Sequence, residues 1–99
     1  MNRINELKAE SSQALHPVAK AIYQHQHAKV LCLIFRKGMK LKDHKTPYAS
    51  FLLVIEGKIE YLQDGQTKVL DTYDQHTIEP HVLHKVIALE DSVCLLIQI

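Results

Sequence analysis

Histidine is the residue type whose number first suggests chemistry in this chain. Seven histidines occur among 99 residues, and a neutral imidazole can bind a metal ion or act as a general base near neutral pH. His25 and His27 have the spacing of two side chains on one face of a strand. However, this pair lies in a polar turn with no third ligand nearby. We therefore interpret it as solvated.

The two cysteines do not have the spacing of a metal site or of a catalytic thiol. Cys32 and Cys94 each lie inside an apolar run and form no CxxC pair. No neighbouring cation would lower the pKa of either thiol. We expect both to be buried free thiols, with a disulfide between them as the alternative.

A basic cluster occupies residues 36–45. Its cations lead towards His44 and are accompanied only by Asp43: they are Arg36, Lys37, Lys40, Lys42 and Lys45. The cluster indicates either a weak preference for anionic ligands such as carboxylates or phosphates, or a solvated loop, which we favour. The whole chain has a net charge of +1. This balance predicts no nucleic-acid partner.

Short apolar segments separated by turn residues must position these groups. Asp64-Gly65, between two of the segments, predicts a hairpin. Closure into a barrel or jelly roll would protect apolar edges such as residues 93–97, so the pattern predicts one all-β domain over residues 18–99. The predicted strands are residues 18–23, 29–37, 48–56, 58–63, 68–71, 75–78, 84–88 and 92–99.

Residues 1–17 predict a short N-terminal arm. Ile4 and Leu7 have helical spacing, but one short helical turn is marginal in isolation. The arm is either a loose lead-in or a segment that docks on another surface. It lacks the pattern of a secretory signal, and no apolar segment of the chain is long enough to cross a bilayer. We therefore expect a cytoplasmic protein with no membrane contact.

Two segments resemble the signatures of the cupin superfamily. The first family segment has Gly, five residues, His-x-His, three or four residues, Glu, six residues and Gly; here Gly38, His44 and Gly57 keep that spacing. The second is similar to residues 73–84. The resemblance covers about residues 29–99 and implies a cupin-type double-stranded β-helix, or jelly-roll barrel. The residues that carry it are Gly38, His44, Gly57, Asp74, Pro80 and His84.

The chain departs from this family at the positions that resemble metal ligands. Family sites have three histidines and one glutamate converging inside the barrel. His44 and His84 match the first and the last histidine, whereas Thr46 and Ser50 stand where the second histidine and the glutamate should be. Neutral hydroxyls bind first-row metals poorly. The four-ligand set is therefore incomplete.

His76 is the candidate for a third metal ligand. In the resembling proteins the positions of His76 and Ile78 face the interior, where His76 would meet His44 and His84. Such a three-histidine set suits Fe, Mn, Ni or Zn. The alternative, which we favour, is a histidine satisfied by a neighbouring Thr, Tyr or backbone group, or one turned outward. We expect His81 to be exposed in its turn.

A binding module is the function that we favour from the sequence. A small organic ligand would occupy the barrel, with metal weak or absent, and polar side chains would orient it. The predicted polar contacts are His44, Thr46, Ser50, His76 and His84. The predicted walls are Phe51, Leu53, Val54 and Tyr61.

A metal-dependent enzyme is the alternative from another class. The resemblance implies a dioxygenase, isomerase or decarboxylase that uses His44, His84 and His76, and a metal-free isomerase with His44 or His84 as general base stays open. Fold-level resemblance does not choose among these chemistries. It also implies a homodimer, in which residues 18–23 or the arm would add to a partner's sheet edge.

Overall fold

One helix and nine strands make up the described part of the chain. The computed structural model describes residues 2–99, and the side chains of all of these except Asp43 and His44. In chain order the elements are α1 (Arg3–Glu10), β1 (Val18–His25), β2 (Ala28–Phe35), β3 (Lys40–His44), β4 (Ser50–Glu56), β5 (Lys58–Gln63), β6 (Gln66–Asp71), β7 (Gln75–Ile78), β8 (His84–Ala88) and β9 (Ser92–Gln98).

Eight of these strands match predicted segments, and β3 was missed. Leu41 is the one apolar residue of β3, between charged neighbours, so the strand gave no apolar run. Its position explains this composition, because among the described strands β3 pairs with β8 alone and so lies at the edge of a sheet. Charged residues on an edge strand discourage its pairing with strands of other chains.

The strands form two antiparallel sheets. A five-stranded sheet has the order β1-β2-β9-β4-β7, and a four-stranded sheet has the order β3-β8-β5-β6. The C-terminal strand β9 therefore lies between β2 and β4, and both of these strands are far from β9 in sequence. This crossover is the arrangement of a jelly roll, in which the two sheets enclose one core.

Alternation along each strand places one face inside the barrel. In β4, Leu52 and Val54 face inward and are buried, whereas Phe51 and Leu53 lie on the other face. The prediction of Phe51 and Leu53 as interior walls was wrong, because register, not hydrophobicity, decides the face. The interior core consists of Leu33, Phe35, Leu52, Val54, Ile59, Tyr61, Leu70, Ile78, Val86, Ala88, Cys94 and Leu96.

The helix α1 packs on the outer face of the five-stranded sheet. Leu7 is fully buried against Cys32, Ile34 and Val93 in a second apolar cluster. The Asn2 side chain caps the helix by accepting a hydrogen bond from the Asn5 N–H at 3.0 Å. Tertiary packing thus stabilises a helix that is too short to persist alone. The arm docks on its own barrel.

The two cysteines and the β5–β6 turn confirm local predictions from the sequence. Cys32 and Cys94 are buried free thiols, and burial raises the pKa of both, that of Cys94 to about 12. Asp64 and Gly65 both adopt positive φ in the β5–β6 turn, as the predicted hairpin requires. Within the described chain, no helix is long and apolar enough to span a membrane.

Candidate functional site

Inward-facing residues change from apolar to polar at one end of the barrel. In the four-stranded sheet, Gln63 of β5 lies opposite His84 of β8. In the five-stranded sheet, Ser50 of β4 lies opposite Gln98 of β9, whose amide donates to the Ser50 hydroxyl at 3.4 Å. We call this end, defined by Ser50, Gln63, His84 and Gln98, the mouth. It is where the barrel can contact a polar molecule.

Tyr61 forms the floor beneath the mouth. Its side chain is buried, with 2% of its surface exposed. The ring of His76, from the opposite sheet, lies 4.4 Å away at a tilt of 45°. The ring of His84 stacks on it at 5.6 Å and 24°. Three aromatic rings on β5, β7 and β8 therefore meet around Tyr61, which the sequence indicated only as a wall.

Burial keeps the rings of Tyr61 and His76 uncharged near neutral pH. Burial, reinforced by the negative charge of Asp64, raises the pKa of Tyr61 to about 12. Its hydroxyl stays protonated and donates to Gln63 Oε1 at 2.7 Å. Burial also lowers the pKa of His76, with a further contribution from the positive charge of Lys68. The site thus offers the uncharged ring faces of Tyr61 and His76 together with hydrogen-bonding groups.

A pocket of about 220 Å³ opens beside this ring cluster. Lys68, opposite Tyr61 in the β5–β6 pair, brings one cation to it. The volume is below the roughly 300–1,000 Å³ of drug-sized ligand sites, so the pocket suits a smaller molecule. It is lined by Tyr61, Gln63, Asp64, Gln66, Thr67, Lys68 and His76.

Two predicted contact residues, Thr46 and Ser50, act mainly within the β3–β4 connection. Thr46 Oγ1 accepts a hydrogen bond from the Tyr48 N–H at 3.3 Å, and the Thr46 carbonyl accepts from the His81 N–H at 2.8 Å. The buried Ser50 hydroxyl donates to the Tyr48 carbonyl at 3.4 Å. Neither residue lines the pocket beside Tyr61. His81 is exposed, as expected.

The three predicted histidine ligands differ in their placement. His84 is buried, and its Nδ1 lies 3.0 Å from the Val82 carbonyl. Since a carbonyl can only accept, this bond places a proton on Nδ1. His76 faces inward, as the resemblance implied, and contacts Tyr61. The His44 backbone pairs with that of His84, while its side chain lies outside the described residues.

The described donors do not fit a resident metal ion. Among the described side chains, no group of three His, Cys, Asp or Glu residues is placed to hold one. The ring of Tyr61 contacts both His76 and His84, so its bulk occupies space next to both imidazoles. Ser50 offers a neutral hydroxyl where a carboxylate would be needed.

Known structures share this fold. A cupin superfamily protein from Desulfitobacterium hafniense superposes with a TM-score of 0.80 at 16% identity, over 86% of this chain and 78% of that one. KdgF from Halomonas sp. gives 0.77 at 22% identity, over 87% and 82%. A Cupin 2 conserved barrel domain protein from Leptotrichia buccalis gives 0.77 at 24% identity, over 88% and 42%.

The chain has the cupin fold. The expected cupin-type double-stranded β-helix is therefore confirmed, and the glycines and histidines that carried the resemblance lie in a cupin barrel. No family model and no curated protein matches the sequence. Since similarity at this level establishes the fold alone, the function must be argued from the residues of this barrel.

Proposed function

We propose that this cupin barrel is a binding module for a small organic molecule, held in the pocket beside Tyr61 and His76 without a resident metal. The observation that carries the proposal is the cluster of aromatic rings, Tyr61, His76 and His84, beneath polar inward-facing side chains. A barrel built only for stability would fill these positions with apolar residues. Here a pocket is placed directly beside them.

The lining of the pocket defines the kind of ligand. The exposed part of the His76 ring offers a face for a planar or unsaturated group, since aromatic rings prefer offset or tilted contacts with such groups. Gln63, Gln66 and Thr67 offer hydrogen-bond donors and acceptors. Lys68 favours a ligand with one negative charge, and Asp64 at the rim opposes a second one. We infer a small, planar, polar molecule carrying at most one carboxylate.

Fragment screening by NMR tests this proposal. Amide spectra of the ¹⁵N-labelled protein are recorded with a library of small planar acids and their uncharged analogues. We expect hits to shift the amides of β5, β6 and β7. Affinity should fall about tenfold in His76→Gln and in Lys68→Ala, because each removes one contact with the ligand.

Matched controls keep the test specific. His25→Gln and Lys20→Ala make the same chemical changes at exposed positions outside the pocket, and we expect both to bind as the wild type does. Hits that shift other strands only, or that bind the pocket variants and the wild type equally, would refute the proposal.

A metal-dependent enzyme is the second candidate. It is favoured by one observation, the pairing of the His44 and His84 backbones across β3 and β8. Elemental analysis of untagged protein distinguishes the two functions. Near-stoichiometric Fe, Mn, Ni or Zn that is lost in both His44→Ala and His84→Ala would overturn the metal-free proposal. Loss in His76→Ala as well would identify the third ligand.

We further propose a homodimer formed through β1. This strand pairs only with β2 among the described strands and lies at the edge of its sheet, where a partner strand can add. The apolar face of α1 is already occupied, since Leu7 packs on its own sheet. Analytical ultracentrifugation tests this proposal: we expect a dimer, and a monomer across the micromolar range would contradict it.

A further inference from the structure

Positive charge is segregated on the surface of this barrel. Residues 36–45 contain five basic residues and one acidic residue and so carry a net charge of +4, whereas the whole chain carries +1. The other 89 residues therefore sum to −3. Such a separation focuses a positive potential on one region of an otherwise acidic protein, and thereby attracts anions.

The β2–β3 turn holds the first of these cations in fixed positions. Gly38 adopts φ +88°, and its N–H donates to the Ala88 carbonyl at 2.8 Å. The Ala88 N–H donates in return to the Met39 carbonyl at 2.9 Å. The Lys37 N–H donates to Asp91 Oδ1 at 2.8 Å. These bonds tie the turn to β8 and to the β8–β9 connection, so Lys37 and Lys40 project from an ordered backbone.

Arg36 connects this turn to the segment that follows α1. Its guanidinium donates to the Ser12 carbonyl at 2.8 Å and also to the Ala14 carbonyl. These bonds hold the chain just before His16 beside the turn. An open groove of about 630 Å³ results, and its basic lining residues are His16, Arg36, Lys37, Lys40 and Lys42.

The charges of Lys37 and Lys40 have little compensation from the described lining of the groove. Asp91 is the one carboxylate among its described lining residues, and one of its oxygens is already engaged by the Lys37 N–H. No described carboxylate lies within ion-pairing distance of the Lys37 or Lys40 ammonium groups, whereas Lys8 and Lys58 elsewhere do form ion pairs. The charges of Lys37 and Lys40, together with the neighbouring guanidinium of Arg36, suit a ligand that brings several negative charges.

This groove is separate from the mouth. The turn bonds to Ala88, at the end of β8 opposite to His84. Four residue steps along a strand place these two ends about 13 Å apart. The expectation that the basic cluster leads into the ligand site therefore does not apply to its first half, Arg36 to Lys40.

We propose that this groove binds the phosphate groups of a multiply charged small molecule. Lysine and arginine side chains form charge-assisted hydrogen bonds with phosphate oxygens, and four such side chains line the groove. A single carboxylate would leave most of this charge unmatched. The proposal is independent of the ligand in the pocket beside Tyr61, because the groove and that pocket share no lining residue.

Calorimetric titration with inorganic tripolyphosphate tests the proposal on the full chain. We expect saturable binding at low ionic strength that weakens towards physiological salt, where the screening length falls to about 8 Å. The double variant Lys37→Gln/Lys40→Gln should lose about tenfold or more in affinity. The control Lys20→Gln/Lys29→Gln removes the same charge outside the groove and should bind as the wild type does.

Other outcomes overturn the proposal. Equal weakening in both double variants would indicate attraction to overall charge, without a site. Binding to vesicles containing phosphatidylserine, or to duplex DNA, without binding to tripolyphosphate would assign the surface to a membrane or a nucleic acid. We expect both double variants to fold, because none of the four lysines is buried. Circular dichroism checks this, so that a loss of binding can be told from a loss of structure.

Discussion

Substitution of Gly57 by alanine should destabilise this barrel far more than the same change at its other glycines. Gly57 joins β4 to β5 with φ +87°. A Cβ there would lie 2.3 Å from the Asp91 carbonyl oxygen and 2.4 Å from Ser92 Oγ. Since Cβ atoms essentially never approach closer than 3.0 Å, the β8–β9 connection would have to move by about 0.7 Å.

Ser92 cannot move without cost. Its buried hydroxyl accepts from the Lys58 N–H at 3.1 Å and lies 3.1 Å from the Lys58 carbonyl and 2.7 Å from the Glu90 carbonyl. Displacement weakens these bonds, each with a net value of about 0.5–1.5 kcal/mol. Overpacking adds about 1–3 kcal/mol, and positive φ adds about 1–2 kcal/mol. We expect Gly57→Ala to lower the free energy of unfolding by about 3–5 kcal/mol.

Gly38 and Gly65 are matched controls. Both have positive φ, but an added Cβ would meet nothing within 4 Å. In their alanine variants the added cost is therefore backbone strain alone, and the reduced entropy of the unfolded chain offsets part of it. We expect each variant to lower the free energy of unfolding by about 1 kcal/mol or less. Urea unfolding followed by circular dichroism measures all three. A Gly57→Ala loss within about 0.5 kcal/mol of the controls would refute the steric reasoning.

Two further predictions concern His76 and Leu7. Folding holds the pKa of His76 below its ordinary value of 6.5. As the pH falls, His76 is therefore protonated in the unfolded chain before it is protonated in the folded barrel. Its contribution to the free energy of unfolding is complete above pH 6.5 and decreases below that pH. The urea midpoint of His76→Gln should therefore fall less steeply with decreasing pH than that of the wild type. Parallel profiles of midpoint against pH in the two proteins would contradict this. Leu7→Ala should cost about 2–5 kcal/mol by leaving a cavity under α1, whereas exposed Leu15→Ala should change the urea midpoint little; equal effects would contradict the docking of the helix.

The site was harder to predict than the fold, for a physical reason. Segment composition indicated which residues are strands, and spacing indicated the cupin motif, because both are local properties. Alternation placed His76 and Ile78 on one face of β7, and the resemblance to the cupin superfamily implied that this face is inward. Its contact with Tyr61, however, joins two sheets and depends on their packing. Phe51 and Leu53 were misassigned because apolar composition does not reveal which face of a strand is inside.

The amino-acid sequence by itself determined the all-β class, the β5–β6 hairpin at Asp64-Gly65, the burial of both thiols and the incomplete metal motif. These follow from residue type and from neighbours a few positions away. Only the tertiary structure decided that the ring of Tyr61 contacts those of two histidines. It also decided that the arm packs on its own sheet through Leu7, and that the basic cluster forms a groove away from the mouth. Each of these results from contacts between residues distant in sequence, whose geometry is set by strand register and by the packing of the two sheets.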